Sequence, residues 1–220
     1  MKRGFTMAEV LITLGILGVV IAMTLPGIME GYEKKVTANK LKKFYTVMMQ
    51  AILLAENTNG ELKSWIPTAD QVLSGQGFED WYNMYLDKHI NSLHKEVTSA
   101  RDFQVTFLDG SGFNGYISST KIIYFMYCTD IKYCGVERYD GRHSFLFSIE
   151  SNFPEKFFAS THSYTNKTRE QLLDSCAKGN ADNPLVSIKD KRHACARLIQ
   201  YDGWEIKKDY PWRQIMIDNR

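Results

Sequence analysis

The feature that most constrains the fold is an apolar run near the N-terminus. From Phe5 to Met29 the chain has one ionisable side chain, Glu9, and the basic residues Lys2 and Arg3 precede the run. A helix of about 20 apolar residues is long enough to cross the hydrocarbon core of a bilayer. The run is therefore predicted to span a membrane. Its carboxylate needs an explanation, because an ionisable group at mid-membrane depth costs about 2.5–3.5 kcal/mol on insertion scales.

Two simple interpretations of the run leave features unexplained. A secretory signal peptide has a basic start, which Lys2 and Arg3 supply, but also a shorter apolar core and an A-x-A-like cleavage site. The stretch VVIAMTLPGIME offers no convincing site of that kind. A plain membrane anchor explains the length of the run and gives Glu9 no purpose.

A third interpretation rests on the residues around Glu9. The pattern G-F-T-x-x-E, formed by Gly4 to Glu9, resembles the processing site of type IV prepilins and of the related pseudopilins of type II secretion. The resemblance implies a leader of residues 1–4, cleavage between Gly4 and Phe5, and methylation of the new N-terminal Phe5. Between the threonine and the glutamate, two residues depart from the bulky aliphatics usual in the family: Met7 and Ala8.

The same resemblance implies roles in assembly for two residues. Glu9 would pair with the N-terminal amine of a neighbouring subunit, since two buried charges neutralise each other only when they meet. Pro26 lies where the family commonly has a proline, and it would kink or loosen the helix. The implied partners are a prepilin peptidase/methyltransferase, other pilin subunits, an inner-membrane assembly platform and membrane lipid.

The implied location is the bacterial inner membrane, with a single span and an extracytoplasmic C-terminal domain that is assembled into a cell-surface or periplasmic filament. The charge distribution argues against this orientation, because lysines after the span outnumber Lys2 and Arg3, and positive charge favours the cytoplasmic side. We give more weight to the cysteines and to the processing motif. The lysines are either an ordinary solvated helix face or a contact with anionic headgroups: Lys34, Lys35, Lys40, Lys42 and Lys43.

The helical pattern continues beyond the membrane-spanning half, which covers residues 5–29. Over residues 30–58 apolar residues recur at three- and four-residue steps, which predicts an amphipathic helix. The sequence NTNG, residues 57–60, predicts its end. The stripe consists of Leu41, Phe44, Met48, Ala51 and Ala55, widened by Val47, Ile52 and Leu54.

Residues 59–220 are predicted to form a globular domain of the α+β class. One or two short helices are expected over Gly77–Val97, followed by strands within residues 103–112, 121–128 and 143–150, with turns at DGSG and YDGRH. A helix is also expected over residues 165–176. This order agrees with the pilin-like fold that the resemblance implies, in which the amphipathic half of a long helix packs on a small antiparallel sheet.

Four cysteines behind an export-like N-terminus predict disulfides in an oxidising compartment. Three connectivities exist, and we favour the neighbouring pairs Cys128–Cys134 and Cys176–Cys195. The resemblance implies a C-terminal disulfide around a variable loop, which the second pair would suit. A zinc site is disfavoured because no C-x2-C pair exists and His193 beside Cys195 is only a partial ligand set.

The sequence contains none of the motifs of an enzyme that we sought. It has no H-E-x-x-H, G-x-S-x-G, P-loop or G-x-G-x-x-G motif, so no catalytic, cofactor-binding or metal residue is predicted. His89 and His94 are five residues apart, one step off the helical metal spacing, and are expected to face solvent. The net charge of +2 is too small to argue for nucleic acid. A few exposed aromatic side chains could contact DNA or a surface ligand, but no sequence motif supports either.

The chain is therefore expected to be a non-enzymatic, major or minor structural subunit of a type IV pilus or a type II secretion pseudopilus, assembled through its N-terminal helix. The alternative is a membrane-anchored binding or adhesin domain that does not polymerise. It shares every feature except a need for Glu9. A secreted enzyme behind a signal peptide has almost no support in the sequence.

Overall fold

A long N-terminal helix is the first element of the fold. The computed structural model describes residues 6–135, 139–179, 192–213 and 215. Helix α1 is Met7–Asn59. It ends where Gly60 takes a left-handed backbone conformation with a φ of 76°, which glycine adopts without the steric cost of a Cβ. The predicted stop at residues 57–60 is thus confirmed.

The chain divides between Val36 and Thr37 into two compact units. In the first unit, every described residue up to Met29 is exposed. This part of α1 is long and apolar enough to cross a membrane. Apolar side chains surround it on all sides, so nothing within this unit covers them, as expected for a helix whose solvent is lipid or other helices.

The second unit contains a six-stranded antiparallel sheet in which every strand pairs with its neighbour in sequence. The α+β class, with a long helix followed by an antiparallel sheet, is therefore confirmed. The turn predicted at DGSG joins β2 to β3, where Thr106 pairs with Gly112. The strands are β1 His94–Val97, β2 Phe103–Thr106, β3 Gly112–Ile117, β4 Ile123–Cys128, β5 Ser144–Ile149 and β6 Phe158–Ala159.

Aromatic side chains fill the core between the amphipathic half of α1 and the sheet. The Phe44 ring stacks on Tyr127 of β4 with ring centroids 4.4 Å apart and meets Phe147 of β5 edge-on at 5.1 Å. Such pairs contribute about 0.5–1.5 kcal/mol beyond the burial of their area. The predicted stripe is confirmed at its buried members, which are Leu41, Phe44, Met48, Ala51, Ile52 and Ala55.

One prediction for the stripe is wrong. Leu54 is 52% exposed, and Val47 is half-buried against the core. Leu54 lies at the margin of the buried stripe, next to Leu53, which is 48% exposed, although its spacing alone resembles that of a core residue.

A second helix packs across the sheet at a glycine of strand β3. Helix α2, Gly75–Tyr85, begins at the N-cap Ser74, whose side chain accepts a hydrogen bond from Gly77 N. The buried Phe78 ring lies so close to Gly115 of β3 that a Cβ there would come within 2.0 Å of the ring. The glycine therefore lets the helix approach the sheet.

The prediction of only helices over Gly77–Val97 is wrong in its last part. After α2, a 3-10 turn at Asp87–His89 is followed by strand β1, which pairs with β2 in the register Glu96–Gln104. The residues HKEV have little intrinsic strand preference. Their pairing is imposed by the tight connection at residues 98–102, where Thr98 N donates to Asp102 O.

Helices α3 and α4 lie in the described part of the C-terminal third. Helix α3, Arg169–Lys178, starts at a capping box formed by Thr168 and Gln171, so it begins later than the predicted 165–176. Helix α4, Ala194–Tyr201, lies in a stretch for which no helix was predicted. Arg169 Nε and Nη2 donate to the Asp202 carboxylate at 2.6 and 2.8 Å, which connects the start of α3 to the end of α4.

Candidate functional site

The start of α1 is held by reciprocal hydrogen bonds between Thr6 and Glu9. The backbone N–H of Thr6 donates to Glu9 Oε2 at 2.8 Å, and the backbone N–H of Glu9 donates to Thr6 Oγ1 at 3.3 Å. This is a capping box, with Thr6 as N-cap and Glu9 three residues later. The Thr6 hydroxyl also donates to Oε2 at 2.8 Å. The two residues satisfy donors that the first helical turn leaves without intrahelical partners.

The capping role of Thr6 was missed by reasoning from the sequence, although the signal was present. The resemblance to prepilins drew attention to Gly4, Phe5 and Glu9, and Thr6 was treated only as part of that motif. The T-x-x-E spacing just before an apolar run is itself a sign of a helix start. Glu9 therefore has a local structural role as well as the role that the resemblance implies.

The processing residues Gly4 and Phe5 lie outside the described residues, so cleavage and methylation there stay predictions. Pro26 lies inside α1, and the helix continues on both sides of it. Proline removes one backbone N–H and its ring crowds the preceding turn. The kink or loosening expected at Pro26 stays a prediction.

Two glycines of the exposed apolar helix have open space around them. A Cβ added at Gly15 or Gly18 would meet no atom of this chain within 4 Å. Small residues on membrane helices let neighbouring helices approach closely. Within the described part of this unit neither glycine is packed against another element, so this stretch of the helix surface is open to close approach by a neighbour.

The two disulfides both lie in the second unit. Cys128, at the end of β4, bonds to Cys134 across a Cα–Cα distance of 5.7 Å, and Cys176 of α3 bonds to Cys195 of α4 across 4.8 Å. These are the two pairs favoured from the sequence. The first packs with Met126, Leu146 and Tyr139 on the sheet face opposite α1, whereas the second belongs to the main core.

Histidines and carboxylates do not converge on a metal site in the part of the chain that the structure describes. The most buried carboxylate, Asp140, accepts backbone N–H bonds from Arg142, His143 and Ser144 at 2.7–2.8 Å, and its second oxygen lies 2.8 Å from His143 Nδ1. Both oxygens are used within the turn before β5, which gives this pair a structural role. His94 is exposed as predicted, but His89 is half-buried.

Comparison with known families supports the reading of the N-terminus. Residues 1–25 match the family described as "Prokaryotic N-terminal methylation motif", and this confirms the resemblance to type IV prepilins and pseudopilins. Residues 27–214 match the "Family of unknown function (DUF6613)". No curated protein and no solved structure matches the chain.

The two matches meet at the end of the apolar run and account for different parts of the molecule. The first covers the motif of a type IV pilin-like protein, and the second covers most of the chain, including the sheet and both disulfides. The chain therefore belongs to the Family of unknown function (DUF6613), within a molecule whose N-terminus is type IV pilin-like.

Proposed function

We propose that the protein is a structural subunit, major or minor, of a filament of the type IV pilus or type II secretion pseudopilus kind. A prepilin peptidase cleaves it between Gly4 and Phe5, and its N-terminal helix then packs with those of other pilin subunits. The observation that carries the proposal is the position of Glu9. It is a carboxylate in the first turn of α1, and every other described residue of the helix up to Met29 is uncharged and exposed.

The hydrogen bonds of Glu9 support a second partner for its carboxylate. Oε2 accepts both donors of Thr6, whereas Oε1 has no hydrogen-bond donor within residues 6–135, 139–179, 192–213 and 215. An ionised group in an apolar environment is stable only when it is paired and hydrogen-bonded. Cleavage after Gly4 would create an amine at Phe5, and the amine of a neighbouring subunit is a matching partner for Oε1.

The proposal also covers the partners and the location of the protein. The protein is not an enzyme, and its partners are the prepilin peptidase/methyltransferase, other pilin subunits, the assembly platform of the inner membrane, and lipid. The described part of α1 up to Met29 is the anchor before assembly, and the disulfide-bonded domain is extracytoplasmic. In the filament, this domain lies on the outside.

The cleavage is tested by mass spectrometry of the N-terminal peptide from the native host. The mature chain is expected to begin at Phe5 with one added methyl group. A Gly4→Leu variant, which changes only the leader side of the bond, is expected to keep residues 1–4. A mature chain that begins at Met1, or beyond Ala22 as after signal peptidase, would contradict the proposal.

The assembly role is tested with Glu9→Leu and a matched control. Glu9→Leu removes the charge, and we expect it to be cleaved and to stay in the membrane but to be absent from the sheared filament fraction. Thr6→Ala removes the capping hydroxyl and keeps the carboxylate, so we expect filaments to persist. Wild-type filament yield from Glu9→Leu would favour an anchored binding or adhesin domain that does not polymerise.

A further inference from the structure

A cleft of about 550 Å³ lies beside the amphipathic half of α1, within the second unit. One wall is a stripe of α1 that runs from Lys40 to Leu54, and the opposite wall is the turn between β2 and β3, which carries Phe107 and Leu108. At 1.5 Å per residue the helical wall is about 21 Å long. The volume lies in the range of small-molecule sites, about 300–1,000 Å³.

The interior of the cleft is apolar and preformed. Its lining includes Phe44 and Tyr127, which are stacked on each other and are 3% and 1% exposed. The lining also includes Leu54 and Leu108, which are 52% and 77% exposed, beside the polar side chains of Gln50, His89 and Asn91. Large aliphatic side chains at the edge of an apolar cleft favour a ligand with an apolar body over a sugar or another fully polar molecule.

Positive charge is concentrated at one end of the helical wall. Lys40 Nζ donates to Thr129 O at 2.7 Å, and Lys43 Nζ donates to Asp109 Oδ2 at 2.9 Å. An ammonium group has three N–H donors, so each lysine can also bind a ligand. Asp109 pairs with Lys43, and Asp130, which attracts Lys40 electrostatically, pairs with Lys132 at 3.0 Å. Three lysines therefore face two carboxylates, and the single remaining positive charge favours an anionic group at this end.

We propose that this cleft binds a single-chain amphiphile with an anionic head, a carboxylate or a phosphate. The head contacts Lys40 and Lys43, and the apolar chain lies over Phe44 and Tyr127 toward Leu54 and Leu108. The inference is independent of filament assembly, because it uses only the second unit. The occupant is a free single-chain anion, since a phospholipid of the bilayer carries two acyl chains.

Photolabelling of the full chain in phosphatidylcholine nanodiscs tests the proposal. The probe is palmitate with a diazirine at the end of its chain, and the labelled residues are mapped by mass spectrometry. We expect label on the peptides that contain Leu54 and Leu108. Palmitate and hexadecyl phosphate should compete about tenfold better than hexadecanol, because a charge-assisted hydrogen bond contributes a factor of that order.

Two pairs of variants separate the cleft from the general surface. Leu54→Glu is expected to reduce labelling about tenfold, since it places a charge beside the apolar chain. Leu53→Glu, at a neighbour that is 48% exposed and outside the cleft lining, should leave labelling unchanged. Lys43→Gln should likewise weaken labelling and Lys42→Gln should not. Leu54→Glu, Leu53→Glu and Lys42→Gln should keep the wild-type thermal unfolding transition, and Lys43→Gln, which loses the bond to Asp109, should lower it by only a few degrees.

The outcomes distinguish a free anion from a bilayer lipid as the ligand, and they distinguish a small ligand from a second protein chain in the cleft. If labelling of the cleft persists in nanodiscs with phosphatidylglycerol, a free single-chain anion is the ligand; if phosphatidylglycerol suppresses it, a two-chain bilayer lipid occupies the cleft and the proposal is overturned. Equal labelling of Leu54→Glu and Leu53→Glu, or label mapped only to residues before Val36, would overturn the proposal. So would crosslinks between two protomers through Leu54, which would assign the cleft to a second copy.

Discussion

At Gly115 the sheet and helix α2 approach each other so closely that the Phe78 ring leaves no room for a Cβ at position 115. The Phe78 ring that fills this space is fully buried and is surrounded by other rings, including Phe103 at 5.9 Å and Phe125 at 5.7 Å between centroids. Close-packed interiors have few voids into which such a ring could move. The position of α2 therefore depends on a single missing Cβ.

We expect Gly115→Ala to lower the free energy of unfolding by about 1–3 kcal/mol, as overpacked cores generally do. Urea unfolding of the full chain in non-ionic detergent, followed by tryptophan fluorescence, measures the change. Phe78→Leu should lose stability by itself but should reduce the cost of Gly115→Ala in the double variant. Additive effects of the two substitutions would show that the ring does not limit the space at Gly115.

Asp109 gives the fold a pH dependence that can be assigned to one carboxylate. Partial burial raises its pKa, but hydrogen bonds from Ser111 and Lys43 outweigh burial and lower the pKa from 3.8 to about 2. The contacts are 3.1 Å from Ser111 N and 2.9 Å from Lys43 Nζ. Because the folded-state pKa lies below the unfolded one, the stabilisation is complete above about pH 4 and is lost as the pH falls toward 2.

We expect wild-type protein to be more stable than Asp109→Asn at pH 6, by no more than about 1 kcal/mol because solvent screens this exposed pair. The difference should disappear between pH 4 and pH 2. Urea unfolding at pH 6, 4 and 2 tests this, and 1 M NaCl at pH 6 should shrink the difference. A difference that grows on acidification would contradict the assignment.

At the scale of elements, the two disulfides close loops of different length. Cys176–Cys195 joins residues 19 apart and Cys128–Cys134 residues six apart. In the chain-entropy model, stabilisation grows with the logarithm of the loop length. The longer loop is therefore expected to stabilise the fold more.

Replacing both cysteines of the C-terminal pair by alanine should cost about 3 kcal/mol, and replacing Cys128 and Cys134 should cost about 2 kcal/mol. Thermal or urea unfolding of the two double variants gives the comparison. Reduced wild-type protein, unfolded under the same conditions, should be the least stable of the set. A larger loss from the short loop would show that contacts of Cys128 on the outer sheet face matter more than loop entropy.

Helices and turns with a strong local sequence pattern could be predicted from the sequence. Elements that form only because a neighbouring strand pairs with them could not. The 3.6-residue stripe of α1 and the DGSG turn are local signals. Strand β1 is an exposed edge of charged residues, and it exists because β2 offers a partner. Leu54 shows what this method misses even in a correctly predicted helix. The spacing of apolar residues defines one face of the helix, but it does not define which residues at the margin of that face are buried.

The processing and assembly residues are predicted from the sequence for a different reason, and their roles stay predictions. The prepilin motif is a local pattern of sequence, and its matching residues are Gly4, Phe5 and Glu9. The resemblance therefore identifies them without knowledge of the three-dimensional structure. The cleft beside α1 could not be found in this way. Its lining comes from α1, the β2–β3 turn, β4 and the segment after α2, and only the folded sheet brings them together.

At the scale of the whole molecule, the core is built entirely from residues after Val36. All the buried apolar side chains described lie between Ala38 and Ile215. The stability of the globular domain should therefore be independent of the apolar part of α1.

A chain of residues 31–220 is accordingly expected to be soluble, monomeric and as thermally stable as the full chain within a few degrees. Circular dichroism melting and gel filtration test this without detergent. Phe44→Ala, which removes a buried ring, should cost about 3–5 kcal/mol in both the short and the full chain. A short chain that lacks fixed tertiary structure, seen as a lost near-ultraviolet spectrum, would show that the first unit is needed for folding.

The disulfide pattern also suits a chain delivered through a membrane from its N-terminal end. Cys128 and Cys134 emerge before Cys176 and Cys195, and every strand of the sheet pairs with the strand delivered just before it. The first cysteine of each disulfide is therefore followed in the chain by its native partner, which is the next cysteine to cross the membrane. Oxidation in order of emergence yields the correct connectivity, so we expect the protein to mature with an oxidase alone and without an isomerase.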